Sequence, residues 1–459
     1  MKGKKVNLFA FTLLIMKNAR LVVYDALFDV FKNSAYSNIT LNKHLNENRL
    51  SENDKAFATA LFYGTIQRTI TLDYIISRYF NKKLTKLDLE ILIILRMGVF
   101  QLLYLNSVPD MAAVNESVLL VSYVKKASAK GLVNAILRAF IRDNKTILLK
   151  KDENDSITKT SLEYSCPEWI IKKIATQYDM QTAIEFAKSS VEVPPLVIRV
   201  NTIKTTTQEL LQEFCSLNID AVCSPIIEDC IILKKMGDLE KIQAFSKGKF
   251  YIQDTASQLC MKLLDAKPGQ TVLDICSAPG SKAFTIANYM QNQGEIFAFD
   301  IYEHKLALIN KSAAKLGINI IKTAIGDGSV YNPDIPKADR VLCDVPCSGL
   351  GIIRRKPEIK FKSEESINEL PKIQLDILTN AANYVKPGGI LVYSTCTVNK
   401  NENLAIINKF IAGNSSFKPL QLPNFLSKIY KGNDCYITLF PHIHNCDGFF
   451  MAAFKKSEE

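Results

Sequence analysis

The chain has 459 residues, 47% of them apolar, so it is too long for one ordinary core and apolar enough for two or three. Eleven cysteines, odd in number and without a C-x-x-C pair, exclude a disulfide framework and a zinc site and read as reduced cytosolic thiols. The 57 Lys+Arg against 46 Asp+Glu leave +11, an excess compatible with an RNA partner and equally with a dispersed solvated surface.

Lys2, Lys4 and Lys5 precede an apolar stretch, Val6–Met16, which imitates a secretory signal. Lys17 and Arg20 follow directly and no A-x-A site appears, so residues 1–17 are expected to be an N-terminal extension of a cytoplasmic protein. An added helix or an upstream start would look the same. Residues 18–150 read as helices throughout: Asn18–Phe31, Ser51–Gln67, Thr69–Phe80, Lys86–Tyr104, Ala112–Val124 and Lys130–Arg142 repeat apolar positions three and four apart. Ser51 marks a helix start and Gly131 lies near another. Leu87–Leu105, the most apolar internal stretch, contains Asp88, Glu90 and Arg96 and reads as a core helix, not a membrane span.

Asp152–Lys159 is polar and reads as a linker. Residues 160–250 mix signals and predict a small α+β domain. Pro167-Glu168-Trp169-Ile170 opens a helix, Pro194–Asn201 is a strand, and Thr207–Leu217 is a helix with Thr207 as its cap. Arg199 and Asn201 are either exposed polar residues on that strand or RNA contacts.

Residues 251–459 alternate strand and helix. The strands are Thr271–Cys276, Glu295–Asp300, Asn319–Ala324, Ala338–Cys343 and Gly389–Ser394, with helices starting near Lys282, Glu303, Ser366 and Asn401. The helix from Ser366 extends to about Lys386. This alternation predicts a mostly parallel, doubly wound sheet. Cys435–Phe440 and Gly448–Phe454 add an antiparallel hairpin at its edge, which favours a methyltransferase over a dehydrogenase.

Ligands of such sheets bind at the carboxyl ends of the strands. The turn Cys276-Ser277-Ala278-Pro279-Gly280-Ser281-Lys282 offers a small residue, Gly280, where backbone must approach a cofactor, while Pro279 stiffens it. A G-x-G-x-x-G fingerprint is absent. Asp300, some twenty residues on, can accept from a ribose diol; Asp327 can accept from an adenine amine or merely shape its turn. The ordered set favours S-adenosylmethionine over NAD. Cys347 and Cys396 each follow a strand end among small polar residues, whereas Cys343 reads as packing. A catalytic thiol needs nearby cations. Lys282, Arg354, Arg355 and Lys356 are candidates.

Residues 276–282, Asp344–Gly351, Arg354–Pro357, Lys386–Thr397 and Pro441–Phe450 resemble RNA cytosine-5 methyltransferases of the RsmB/Sun and NSUN type. Asn115–Val118, Lys130–Arg138 and Leu61–Thr65 resemble the RNA-binding NusB fold, which marks the RsmB branch. The resemblance implies an all-α NusB-like bundle, a small α+β linker domain, and a Rossmann-like class I methyltransferase domain with a terminal antiparallel hairpin. It implies S-adenosylmethionine held by residues 276–282, Asp300, Asp327 and Asp344. It also implies Cys396 as nucleophile toward C6 of cytosine, Asp344 on the N3/amine edge, and Cys347 as a helper in product release. The implied partner is RNA, foremost 16S rRNA (cytosine 967), with a monomeric state and neither metal nor membrane. A tRNA cytosine and a non-catalytic assembly factor stay open, as does a methyltransferase of DNA or protein, although Asp344–Cys347 occupies the place of an N-P-P-Y motif. One departure stands out: Ser281 replaces the second glycine of the family's Pro-Gly-Gly-Lys turn.

Overall fold

The computed structural model describes residues 18–33, 35–147, 155–235, 242–430 and 434–458. The expected N-terminal extension, 1–17, and residues 152–154 of the expected linker lie outside these. The rest of that linker is ordered: Asp155 accepts from the backbone N–H groups of Ile157 and Thr158 and caps a helix. Contacts divide the chain into two compact units, Met1–Glu192 with Ile353–Lys362, and Val193–Ile352 with Ser363–Glu459.

The described residues of the first unit form α1 (Ala19–Asn33), α2 (Ser37–Glu47), α3 (Glu52–Gln67), α4 (Thr69–Tyr79), α5 (Leu89–Tyr104), α6 (Asp110–Tyr123) and α7 (Lys130–Arg142). Helices α8 (Ser156–Tyr164), α9 (Glu168–Gln177) and α10 (Met180–Ser189) follow. Helix α5 is the axis of the bundle, as its composition predicts: Ile91, Ile94, Leu95 and Leu102 are buried, and Arg96 is tied to Asp73 by bonds of 2.6 and 2.7 Å. Helix α2 escapes sequence reading because little in it is periodic and its cap is remote. Glu358 accepts from Ser37 N (3.3 Å) and Ser37 Oγ (2.8 Å) at its start. From the same inserted segment, Lys360 Nζ donates to the carbonyls of Gln67 (3.2 Å) and Tyr164 (3.4 Å), at the C-terminal ends of α3 and α8. An anion at a helix N-terminus and a cation at two C-termini match the helix dipoles.

The second unit opens with a four-stranded antiparallel sheet, β2-β3-β1-β4: β1 (Leu196–Val200), β2 (Asp220–Cys223), β3 (Cys230–Lys235) and β4 (Phe250–Ile252), with α11 (Thr207–Ser216). The α11 cap is Thr206, in a capping box with Glu209, and not Thr207 as expected. Thr207 Oγ1 instead donates to Asp229 (2.8 Å). Both readings of Arg199 and Asn201 also fail, since the two are 1% and 0% exposed. Strand β1 is covered on both faces: Ile198 and Val200 pack with Leu210 and Phe214, and Val197 with Leu259. Arg199 therefore bonds inward to the Glu228 carbonyl (2.7 Å), lies over the Tyr289 ring and pairs with Asp229.

The main sheet is β10-β12-β9-β8-β5-β6-β7, with β11 paired to β12. Its strands are β5 (Thr271–Asp274), β6 (Glu295–Asp300), β7 (Ile321–Ile325), β8 (Ala338–Asp344), β9 (Val385–Thr395), β10 (Phe417–Pro419), β11 (Tyr436–Leu439) and β12 (Phe449–Lys456). Strands β5 to β9 are parallel, and β12 joins β9 antiparallel. Alternate residues serve opposite cores, which explains the unbroken apolar runs. Val272, Leu342, Val392 and Met451 face α12 (Thr255–Leu264), α13 (Ser281–Tyr289) and α14 (Glu303–Leu316), whereas Leu273, Val341, Leu391 and Ala452 face α15 (Leu370–Ala382) and α16 (Leu404–Gly413). The helix expected over Ser366–Lys386 is shorter because Pro371 sets its first turn and β9 already begins at Val385. The expected hairpin is present at the sheet edge: β11 and short β10 pair with successive stretches of β12, on the side away from β9.

Candidate active site

Parallel register brings the ends of β5, β6, β8 and β9 to one edge, each closing on a polar residue: Asp274, Asp300, Asp344 and Thr395. Beyond β5 the chain turns on bonds from Ser277 N to Phe299 O and from Gly280 N to Ser277 O, both 2.7 Å. Gly280 has φ +100°, and a Cβ there would stand 2.8 Å from the Phe284 ring, so the turn requires glycine. Ser281 begins α13, and its carbonyl accepts from Gln253 Nε2 (3.0 Å). The Cys276 thiol is pushed up by burial and by Asp274.

Lys282 reaches from the first turn of α13 to Asp344 Oδ2 (2.6 Å), whose other oxygen accepts from Ser394 Oγ (2.8 Å). Burial works against the lysine charge, but Asp344 more than offsets this and holds the ammonium above the usual range. Arg354, Arg355 and Lys356, the other expected cations, belong by their contacts to the helical unit.

The two thiols expected at this edge meet: Cys347 Sγ lies 3.2 Å from Cys396 Sγ. Their loops are laced together. Ser348 Oγ and Thr397 Oγ1 are 2.8 Å apart, and Gly351 N donates to Cys396 O (3.0 Å). Gly448 N in turn donates to Gly351 O (2.8 Å), at a backbone crossing where a Cβ on Gly351 would strike the Gly448 carbonyl. Hydrogen bonding to Cys396, then burial, then the charges of Cys396, Glu402 and Asp344 raise Cys347 well above the ordinary thiol range. Cys343, by contrast, is fully buried packing.

Asp300 Oδ1 accepts from Tyr302 N (3.0 Å) at the end of β6. Asp327 is exposed, and its Oδ1 closes a local turn by accepting from Ser329 N (2.9 Å) and Ser329 Oγ (2.6 Å), which holds it below the usual carboxylate range. Sequence reasoning missed Asp274, although it stands in the strand Thr271–Cys276 that leads into the turn. The signal was a lone acid ending an apolar strand. Asp274 is 0% exposed, neither oxygen has a hydrogen-bond partner, and burial pushes its pKa up to about 7. Among the described residues no cluster of His, Cys, Asp and Glu could hold a metal, and no helix is long and apolar enough to cross a membrane.

Residues 261–455 match the family described as 16S rRNA methyltransferase RsmB/F, residues 17–142 the NusB family, and residues 166–240 the RsmF/B-like ferredoxin-like domain. The probable ribosomal RNA small subunit methyltransferase B of Bacillus subtilis is 34% identical over 447 residues, covering 96% of this chain and 99% of its own. The chain belongs to the RsmB family of methyltransferases. Its Klebsiella pneumoniae relative, ribosomal RNA small subunit methyltransferase B, is 29% identical over 80% of this chain and 83% of its own. The crystal structure of PH0851 superposes with a TM-score of 0.82 at 25% identity, over 95% of this chain and 97% of that one.

Membership in the RsmB family carries S-adenosylmethionine as cofactor, and the residues present fit it. The orphaned Asp274 carboxylate suits the cofactor's ammonium, the Gly280 turn leaves room for its close approach, and Asp300 suits its ribose diol.

Proposed function

We propose that this chain methylates C5 of a cytosine in 16S rRNA through a covalent bond from Cys396 to C6. Two sulfurs at 3.2 Å beside a carboxylate fixed by lysine carry the reading. C5 of cytosine is a weak nucleophile; addition of a thiolate to C6 makes an enamine and raises electron density at C5. Cys396 forms that S–C6 bond while Asp344, fixed by Lys282 and Ser394, accepts from the amine edge of the base. Bound S-adenosylmethionine supplies the methyl group as an electrophile. The Cys347 thiolate takes the C5 proton, which restores the ring as the S–C6 electron pair returns to Cys396. Cys347 thus assists release as the base, from 3.2 Å beside Cys396. Single-stranded or loop RNA presents the base at least cost.

The test uses labelled RNA, S-adenosylmethionine and denaturing gels. Cys396→Ala should lose both methylation and any covalent RNA complex, whereas Cys347→Ala should transfer methyl and stall as an adduct. An adduct with Cys396→Ala and none with Cys347→Ala would reverse the two roles. Bisulfite sequencing of RNA from a deletion strain identifies the nucleotide; loss of a mark from tRNA alone would move the substrate away from 16S rRNA.

A further inference from the structure

Behind the two thiols lies a fully buried carboxylate that the mechanism above does not use. Glu402 is 0% exposed, yet Oε2 accepts from Ser348 N (2.8 Å) and Gln374 Nε2 (3.0 Å), and Oε1 accepts from Asn399 Nδ2 (2.8 Å). Every one of these partners is an N–H donor, the set that an acceptor-only carboxylate requires. Gln374 Nε2 also donates to Pro346 O (2.9 Å). The residue before Cys347 and the residue after it are therefore held from one point. The next residue does the same for the other thiol. Asn403 Oδ1 accepts from Thr395 Oγ1 (2.6 Å) and Asn403 Nδ2 donates to Thr397 O (2.9 Å), gripping both neighbours of Cys396. The Glu402 carbonyl is itself fixed by the Tyr393 hydroxyl (2.5 Å).

We propose that Glu402 and Asn403 are positioning residues that set the spacing of the two thiols, Glu402 through the Cys347 loop and Asn403 through the Cys396 loop. Two adjacent residues leave a strand-end loop and enter α16. Any shift of one loop is therefore resisted by the same short piece of backbone that holds the other. The effect on turnover rests on the function proposed above; the effect on spacing does not.

Spacing is read directly by treating the full-length protein with a diazene oxidant, which is reduced to the hydrazine as the two thiols lose their hydrogens and join. Peptide mapping then follows the Cys347–Cys396 disulfide. In Glu402→Ala the disulfide should close about tenfold more slowly than in the unmodified chain, since exchange and oxidation rates depend on sulfur access. Its kcat should fall about 100-fold, as expected for a misplacement near 1 Å, with KM for RNA and cofactor within about twofold. Glu402→Gln keeps the shape and an acceptor, and should restore most of the closure rate and of kcat together. Should Glu402→Ala not fold, Gln374→Ala removes one arm of the same grip and should slow closure and kcat in parallel. A folded Glu402→Ala protein with unmodified closure and kcat overturns the proposal, as does a loss of kcat without slower closure. Slower closure in a protein that methylates no cytosine would sink the proposed function and leave the positioning role standing.

Discussion

In the helical unit Arg96 is buried against Asp73, with both ends of the carboxylate engaged at 2.6 and 2.7 Å; at the carboxyl edge of the main sheet Asp274 is still more deeply buried, and neither of its oxygens meets a donor. Folding resolves the first charge completely and leaves the second for a ligand. Around Asp274 the same edge carries a second acid held by lysine and two thiols in contact. A buried carboxylate without a partner, beside a second acid and two thiols in contact, marks that edge as the working part.

The largest effect that sharpens this contrast belongs to Asp274→Asn. The folded carboxyl titrates near 7 against an ordinary 3.8, so its stability contribution is fully present below pH 4 and is lost as pH rises through 7. Removing the charge should therefore stabilise the cofactor-free protein by about 4 kcal/mol at pH 8 and by nothing near pH 4. Denaturant titrations across that range read it, and cofactor affinity should fall in the same variant. Equal stability at pH 8 would mean the carboxylate has a partner. Asp73→Ala is the opposite case: it strands the Arg96 charge and should cost about 3 kcal/mol, leaving cofactor affinity unchanged by calorimetry.

Lys360 gives a smaller, pH-dependent effect. Burial pushes its pKa down to about 8, so above that value the folded chain releases a proton that the unfolded chain keeps. Between pH 8 and 9.5 the unmodified protein should gain about 2 kcal/mol relative to Lys360→Met. A flat difference would place the ammonium in water. Asp300→Ala should weaken S-adenosylmethionine binding by about 1.5 kcal/mol if the carboxylate accepts from the ribose. Unchanged affinity would remove it from the cofactor's partners.

Local signals made most of the fold legible. The strands of the main sheet are apolar on both faces and the helices of the first unit keep their period, so pattern and packing agree from Val272 to Met451 and from Ile91 to Leu102. The two larger misses have a common cause in distance along the chain. Helix α2 owes its start to Glu358, 321 residues away, and Arg199 is buried because other elements cover both faces of β1. The thiols and Asp344 were legible because each follows a strand end within a short motif. Glu402 and Asn403 were not, since a polar Asn-Glu-Asn run in a loop looks like solvent-facing chain until Ser348 and Thr397 are seen to bond with it.

The insertion of Ile353–Lys362 into the helical unit has a consequence for how this chain can be divided. A fragment ending at residue 192 or 250 would lack the carboxylate that starts α2, the ammonium that closes α3 and α8, and Phe361, whose ring lies 5.4 Å from that of Phe31. Such a fragment is a split protein rather than a free-standing module, and a ten-residue peptide supplied in trans should complement it. A gene carrying the helical unit elsewhere would have to bring this distant ten-residue piece of the same unit with it.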